Sequence, residues 1–383
     1  MISNEAPGTS RTKNILYVIA GVDLQQGGMA HNCAINTRAL LAAGHKVTIL
    51  TLDLPDDRLA EFVRMSACDT IVRMPRSLRR LDISFAAWRW LSKHGGTFDV
   101  VHVASLMNMF TSPLARHAVA ARSKVVVVLS GMMARGAIRH RSPLLKRAWI
   151  ALIDRPVLDR AHAVLVDSDE EAREAGLVLG HATDRFTVLA PAVCASEPFV
   201  RPSGPCQARV LALSRLHPIK NLEALIDAWP AIRHAIPDAR LTIAGDGAVD
   251  YRAALMRRAQ AADPCEQSIT FVGWADEQTR AERFRDADLY VLPSLYESFG
   301  RTLIEALAVG LPCIVNEKIN LAPRLVEWEL GRTFRGSGDL ATTVIEALHD
   351  TAFRERAALE GASRIAREFS PARAAAALEA VYR

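Results

Sequence analysis

Glu297 and Glu305 bound the segment Glu-Ser-Phe-Gly-Arg-Thr-Leu-Ile-Glu, eight positions apart. A pair of carboxylates first suggests the acid and base of a glycosidase. The spacing argues against it: if every step were helical, the rise alone would be about 12 Å, beyond the roughly 5–9.5 Å that such pairs span. The two acids are better read as gripping different parts of one ligand. Between them Gly300 stands at the threshold of a helix, so the amides of Gly300, Arg301 and Thr302 can meet phosphate oxygens without side-chain obstruction. Without a ligand the same residues would make a helix cap and a surface acid.

Arg215 and Lys220, in Ser-Arg-Leu-His-Pro-Ile-Lys-Asn, bring two cations to the end of an apolar run. They suit a diphosphate leaving group, each charge-assisted hydrogen bond contributing about 1.5–3 kcal/mol; an exposed loop with ordinary surface charges is the other reading. Gly245-Asp246-Gly247 and Gly273-Trp274 can line a nucleoside pocket, although each alone is a turn signal. Gly27-Gly28 precedes a helix and lets the backbone approach an anion, or simply turns. Two D-x-D patterns, Asp167–Asp169 and Asp286–Asp288, would serve a metal site. The first reads instead as a helix N-cap with an acidic first turn, and the second flanks the start of a strand. No metal ligand set is assigned: the six cysteines form no C-x-x-C pair and no Cys/His cluster at zinc spacing.

The elements that must position these residues alternate. Apolar β-branched runs at Ile15–Ala20, Lys46–Thr51, Thr70–Arg73, Asp99–Val103, Lys124–Leu129, His162–Val166 and Phe186–Leu189 are separated by helical periodicities, beginning with Met29–Ala43. A second series follows, with strands at Arg209–Leu213, Arg240–Ala244, Ile269–Val272, Leu289–Leu292 and Pro312–Val315 and helices near Asn221–His234, Val249–Ala262 and Leu303–Val309. The predicted fold is α/β, two doubly wound Rossmann-like halves. The expected organisation is a first domain over 1–195, a Pro/Ser/Gly-rich linker over 196–207, a second domain over 208–365, and a helical tail over 366–383 packing back on the first domain. In such sheets ligands bind outside the carboxyl ends of the strands, which places a ligand in a cleft where the halves face each other.

The chain has 383 residues, half of them apolar and 23% charged, which suits a packed two-domain protein and excludes a disordered or collagenous one. No apolar run approaches the 18 or so residues of a membrane span. The N-terminus is polar, so export is not expected, and scattered cysteines read as reduced cytoplasmic thiols. Charge is uneven: residues 1–195 hold 24 Lys+Arg against 17 Asp+Glu, and the remainder 23 against 25. The stretch 100–153 holds eight basic residues and no acidic one, among them Arg135, Arg139, Arg141, Lys146 and Arg147. Aromatics interleaved for base stacking are absent, so nucleic acid is not the expected partner. An anionic membrane surface or a phosphorylated substrate fits better, beside the plain reading of a solvated basic face. A nicotinamide dehydrogenase would require a complete G-x-G-x-x-G and a ribose-binding acid, which are missing. A non-enzymatic sugar-binding protein would call for an export signal and aromatic platforms.

The segment Glu297–Glu305 resembles the signature of the large family of retaining nucleotide-sugar glycosyltransferases numbered four. Ser214-Arg215 with Lys220-Asn221, Ala244–Gly247, Phe271–Gly273, Asp288 with Leu292–Ser294, and Ala306 with Gly310–Pro312 match that family in order and spacing. The match is strong over most of 208–335 and looser in the first half, through Gly27-Gly28 and Gly131-Met132; the basic segment after it is similar to exopolysaccharide-assembly members. The resemblance implies a GT-B fold that moves a hexose from a nucleoside-diphosphate sugar to a glycan, with retention, no metal and no other cofactor. It implies an acceptor on a polyprenyl-diphosphate carrier in bacterial exopolysaccharide synthesis, with lipopolysaccharide or a small molecule as the alternative acceptor, and a protein expected in the cytoplasm or peripheral on the inner face of the cytoplasmic membrane. It assigns donor binding to Gly28, Gly273, Trp274, Phe299, Gly300, Arg301, Thr302 and Leu303. Arg215 and Lys220 would neutralise the departing diphosphate, Glu305 would hold the ribose hydroxyls and Glu297 would contact the sugar. Arg135, Arg139, Arg141, Lys146 and Arg147 would face acceptor or membrane. Many relatives carry a histidine immediately before the glycine matched by Gly131; here the residue is Ser130. His102 also fits a family pattern and is a candidate catalytic residue, against its reading as a satisfied core histidine.

Overall fold

The computed structural model describes residues 11–26, 28–78, 81–134, 138, 142–193, 206–264, 268–297 and 299–383. The chain divides into two units, Met1–Ala192 with Pro371–Arg383, and Val193–Ser370. Of the linker expected over 196–207, only residues 206 and 207 are described.

In the first unit, β1 (Asn14–Val18), β2 (Lys46–Leu52), β3 (Ile71–Met74), β4 (Val100–Ala104), β5 (Val125–Val128), β6 (Ala163–Val166) and β7 (Phe186–Val188) form one sheet. Its order is β3-β2-β1-β4-β5-β6-β7, and every pairing is parallel. Strands buried on both faces must be apolar throughout, which is why β5 reads Val-Val-Val-Val. The two-residue period sorts side chains between two clusters. Leu16, Val18, Val101 and Val103 enter one; Ile15, Tyr17, Val100 and Ala104 enter the other.

The helical tail breaks where Ser370 is followed by a proline that cannot continue a helix, giving Thr351–Phe369 and Pro371–Tyr382. The second of these helices packs on the first unit, burying Leu378 and Tyr382 in the cluster that holds Ile15 and Tyr17. Polar contacts hold it there: Lys124 Nζ donates to the Arg383 carbonyl at 2.8 Å, His162 Nε2 to the Val381 carbonyl at 2.9 Å, and His45 Nε2 lies 3.0 Å from Glu379 Oε1.

The second unit carries β8 (Arg209–Leu213), β9 (Arg240–Ala244), β10 (Ile269–Gly273), β11 (Leu289–Leu292), β12 (Cys313–Asn316) and β13 (Gly331–Phe334), ordered β10-β9-β8-β11-β12-β13 and parallel throughout. β13 has no counterpart in the sequence-based expectation. It is a four-residue edge strand that opens on glycine and carries Arg332, so it lacks the apolar run that marks a central strand. The Arg301–Ala308 helix lies close against Thr351–Phe369 because Gly361 has no side chain: a Cβ there would stand 2.4 Å from the Leu307 carbonyl oxygen. In each sheet the strand order reverses once, at β1/β4 and at β8/β11, the places where parallel sheets open a crevice for ligands.

Candidate active site

Both chemistry-bearing loops of the second unit leave its reversal point. The loop after β8 runs through a single 3₁₀ turn, Pro218–Lys220, and the loop after β11 runs through Pro293–Gly300. Two hydrogen bonds tie them together: Leu295 N–H to the Ile219 carbonyl at 2.8 Å, and Asn221 Nδ2 to the Pro293 carbonyl at 3.2 Å. Lys220 Nζ thereby reaches Glu297 and donates to its Oε1, which also accepts from Ser294 Oγ at 2.8 Å. The Lys220 and Glu297 side chains are only 19% and 12% exposed. Arg215 and Lys220, the two cations after β8, differ in their surroundings. Arg215 is exposed and its side chain makes no hydrogen bond or ion pair among the described residues, whereas Lys220 is engaged by an acid.

Gly300 adopts φ +78°, and the Arg301–Ala308 helix starts there with no side-chain cap among the described residues. Tyr290, fully buried, hydrogen-bonds the Leu213 carbonyl at 3.0 Å and the Thr302 hydroxyl at 2.7 Å, pinning the helix start to the end of β8. Burial raises its phenol well above the ordinary tyrosine range, so it stays protonated as a donor. One turn along, Glu305 Oε1 accepts from Arg301 Nε at 2.9 Å, and its Oε2 lies 3.2 Å from Arg280 Nε. Glu305 is therefore a held carboxylate with acceptor capacity to spare, since an ionised carboxylate offers about four lone-pair sites. Arg280 carries no sequence signal of this role. It lies on Glu277–Asp286, 25 positions before Glu305, with no local pattern to connect the two. The side chains of Phe299 and Leu303 are buried, and the Phe299 ring stands edge-on to Phe369 with centroids 5.3 Å apart.

Gly245 and Gly247 have a packing reason. A Cβ at Gly245 would lie 1.9 Å from the Ser214 carbonyl oxygen, and one at Gly247 2.1 Å from that of Leu216. These glycines let β9's loop lie against β8's. Gly273 accepts from Gly245 N–H at 2.6 Å, and Trp274 is half exposed.

In the first unit Gly28 opens the helix Gly28–Ala42, while Gly27 lies outside the described residues. His102 sits within β4 at 0% exposure, stacked on Tyr17 with ring centroids 4.3 Å apart. Its Nδ1 meets the Tyr382 hydroxyl at 2.7 Å, its Nε2 has no hydrogen-bond partner among the described residues, and burial lowers its pKa to about 3. The loops after β5 and β6 are joined by buried Glu171, whose carboxylate accepts from Gly131 N–H and, at 2.7 Å, from Asp167 N–H. Ser168 caps the helix Asp169–Leu179, accepting from Glu171 N–H at 3.2 Å, with Asp169, Glu170 and Glu171 in the first turn. Asp288 Oδ2 accepts the backbone N–H groups of Gln207 and Arg209. Among the described residues no three His, Cys, Asp or Glu side chains converge as a metal site.

Arg135, Arg139 and Arg141 lie outside the described residues. Lys146 and Arg147 stand on Pro143–Trp149, whose Leu144 and Leu145 are 78% and 74% exposed, and Leu152 on the π-helical turn that follows is 68% exposed. Among the described residues no helix is long and apolar enough to cross a membrane.

Two open parallel sheets, one with a held carboxylate, a lysine and an uncapped helix start at its reversal point, define a GT-B glycosyltransferase that uses a nucleotide sugar. Residues 27–192 match the family described as glycosyl transferase 4-like domain, and residues 207–350 the family described as glycosyl transferases group 1. The chain belongs to these glycosyltransferases, and its group 1 domain marks it as a hexosyltransferase. It is 26% identical over 368 residues to the phosphatidyl-myo-inositol mannosyltransferase of Mycobacterium leprae, covering 89% of each chain. Among solved structures it is similar to Anabaena HepE in complex with UDP and glucose, with TM-score 0.73, 16% identity, and 96% and 98% of the two chains covered. It also resembles the sucrose-phosphate synthase of Thermosynechococcus elongatus, with TM-score 0.73, 18% identity, and 97% and 98% covered.

Proposed function

We propose that this glycosyltransferase is a retaining, metal-independent member of family four. It takes a hexose from a nucleoside-diphosphate sugar bound by the second unit and adds it to a glycan carried on a polyprenyl diphosphate in exopolysaccharide assembly. The observation that carries the reading is the convergence at β8/β11 of Lys220, Glu297, the Gly300 turn and Glu305. As the sugar–phosphate bond breaks, negative charge builds on the diphosphate. Lys220, Arg215 and the amides at the helix start oppose that charge where another enzyme would use Mg²⁺. Glu305, oriented by Arg280 and Arg301, accepts the ribose hydroxyls; Glu297 positions Lys220 and meets the donor sugar.

The exposed leucines beside Lys146 and Arg147 support peripheral contact with an anionic leaflet on the cytoplasmic side, where each basic residue contributes about 1 kcal/mol. Thermal-shift measurements with UDP, GDP and ADP, then with their sugars, test the donor reading: a nucleotide that binds the folded state raises the midpoint. The anomeric configuration of the product, read by NMR, tests retention. An inverted product, or a midpoint indifferent to every nucleotide, refutes the proposal.

A further inference from the structure

The chain passes between its two units twice, after Ala192 and after Ser370. Within the second unit the two places are joined at one residue. Phe369 ends the Thr351–Phe369 helix, and its carbonyl accepts the Val193 N–H at 3.0 Å. Its ring, 2% exposed, stands edge-on to Phe299 with centroids 5.3 Å apart, and Phe299 immediately precedes the Gly300 turn. One residue therefore holds the crossing through its backbone and the loop after β11 through its side chain.

The Phe369 ring is braced. It also stands edge-on to Trp328 with centroids 6.4 Å apart, and the Arg324 guanidinium lies 4.8 Å from the centre of the Trp328 ring and 5.7 Å from that of Phe369. Arg324 Nη2 is fixed in turn by Glu368 Oε2 at 2.9 Å. A cation shared by two ring faces favours one placement of both, through their quadrupoles. The Phe299 side chain is buried, so its ring serves packing and not ligand contact. Gly300, at φ +78°, sets no steric limit of its own on the backbone. The anchored ring beside it is what limits the travel of the loop that carries Glu297.

We propose that Phe369 is a positioning residue for the donor loop, and that nucleotide held by that loop is sensed at the crossing through Phe299, Phe369 and the Val193 amide. The nucleotide part rests on the donor reading above; the hold of the two rings on the crossing does not. A loop fixed by nucleotide keeps Phe299 against Phe369 and so opposes the opening that breaks the Val193–Phe369 hydrogen bond. By linkage, the factor by which nucleotide suppresses that opening equals the factor by which the opened state binds nucleotide more weakly. One aromatic edge contact sets that factor at about 2- to 12-fold.

The test uses the full chain labelled with ¹⁵N-valine, with the Val193 amide assigned by its loss in Val193→Ile. Its hydrogen exchange is read below the urea concentrations at which the rate begins to rise, where it reports local opening and not unfolding. In the nucleotide-free protein, Phe299→Leu should speed Val193 exchange about 2- to 12-fold, whereas a ring that only filled the core would leave this local rate unchanged. With UDP, GDP or ADP, whichever raises the melting midpoint, wild-type exchange at Val193 should slow by a like factor. Phe369→Leu should abolish that slowing and weaken nucleotide binding, read by calorimetry, to the same extent; if that variant does not fold, Phe369→Met gives the same reading. A Val193 rate indifferent to Phe299→Leu overturns the proposal. So does a rate that nucleotide leaves unchanged while the midpoint rises, or a slowing that survives loss of the Phe369 ring. A midpoint that no nucleotide moves counts against the donor reading, and the Phe299→Leu comparison, made without nucleotide, still decides the positioning role.

Discussion

Replacing Lys220 by methionine keeps the length of the side chain and removes its charge, which separates what Lys220 does for the fold from what it does for the reaction. In the free protein its ammonium is held by Glu297, with both side chains less than a fifth exposed. Two unit charges about 3 Å apart interact by roughly 5 kcal/mol at an effective dielectric of 20, and desolvation of both groups takes back most of it, leaving a coupling of about 1–2 kcal/mol. Lys220→Met alone should cost about 2 kcal/mol, because Glu297 is left with the Ser294 hydroxyl as its other partner. Glu297→Gln should cost less, and the double variant less than the sum. Urea denaturation of the four proteins gives the coupling. In transfer, loss of one preorganised cation opposite the diphosphate should remove 2.7–4 kcal/mol of transition-state stabilisation, about a 10²–10³-fold fall in kcat/KM. Additive stability changes would refute the pairing, and wild-type turnover in Lys220→Met would refute its role.

Glu305→Ala should lower transfer by about 10²-fold or more while the fold persists, checked by circular dichroism beside the kinetics. Asp154 is buried and accepts from Met107 N–H at 3.2 Å; desolvation raises its pKa to about 6. A carboxyl with a raised folded pKa loses stability as pH climbs from about 4 to about 6, so Asp154→Asn should be more stable than wild type at pH 7.5, by at most about 3 kcal/mol. The difference should vanish at pH 4, and melts at the two pH values check the sign. Gly361→Ala places a methyl against the Leu307 carbonyl and should destabilise the second unit by about 1–3 kcal/mol, read by denaturant midpoint. Replacing Leu144 and Leu145 by serine should weaken sedimentation with anionic vesicles at low salt, and high salt should release wild type as well. Equal recovery in the supernatant for both proteins under both conditions would reject the membrane contact.

Much of the fold was legible because buried parallel strands announce themselves: β5, β8, β9 and β11 are short apolar runs with helical periods between them. β13 was not, since an edge strand containing glycine and arginine carries no such signal. The site was legible where chemistry sits in a contiguous segment, as with Glu297 to Glu305. It was not legible where partners are distant in the chain. Nothing local joins Arg280 to Glu305, Glu171 to Gly131, or Tyr382 to His102, a hydrogen bond spanning 280 positions.

Sequence alone determined the class: the alternation of elements dictates two doubly wound sheets, and the residues after β8 and β11 must then emerge side by side at a reversal of strand order. The tertiary structure decided which charges meet. It gave Lys220 to Glu297 and left Arg215 exposed, it set Gly245 against the Ser214 carbonyl, and it buried a strand histidine wholly, against the Tyr382 hydroxyl. Side-chain pairing depends on distances of a few ångströms across segments far apart in the chain, and those distances exist only once packing has set them.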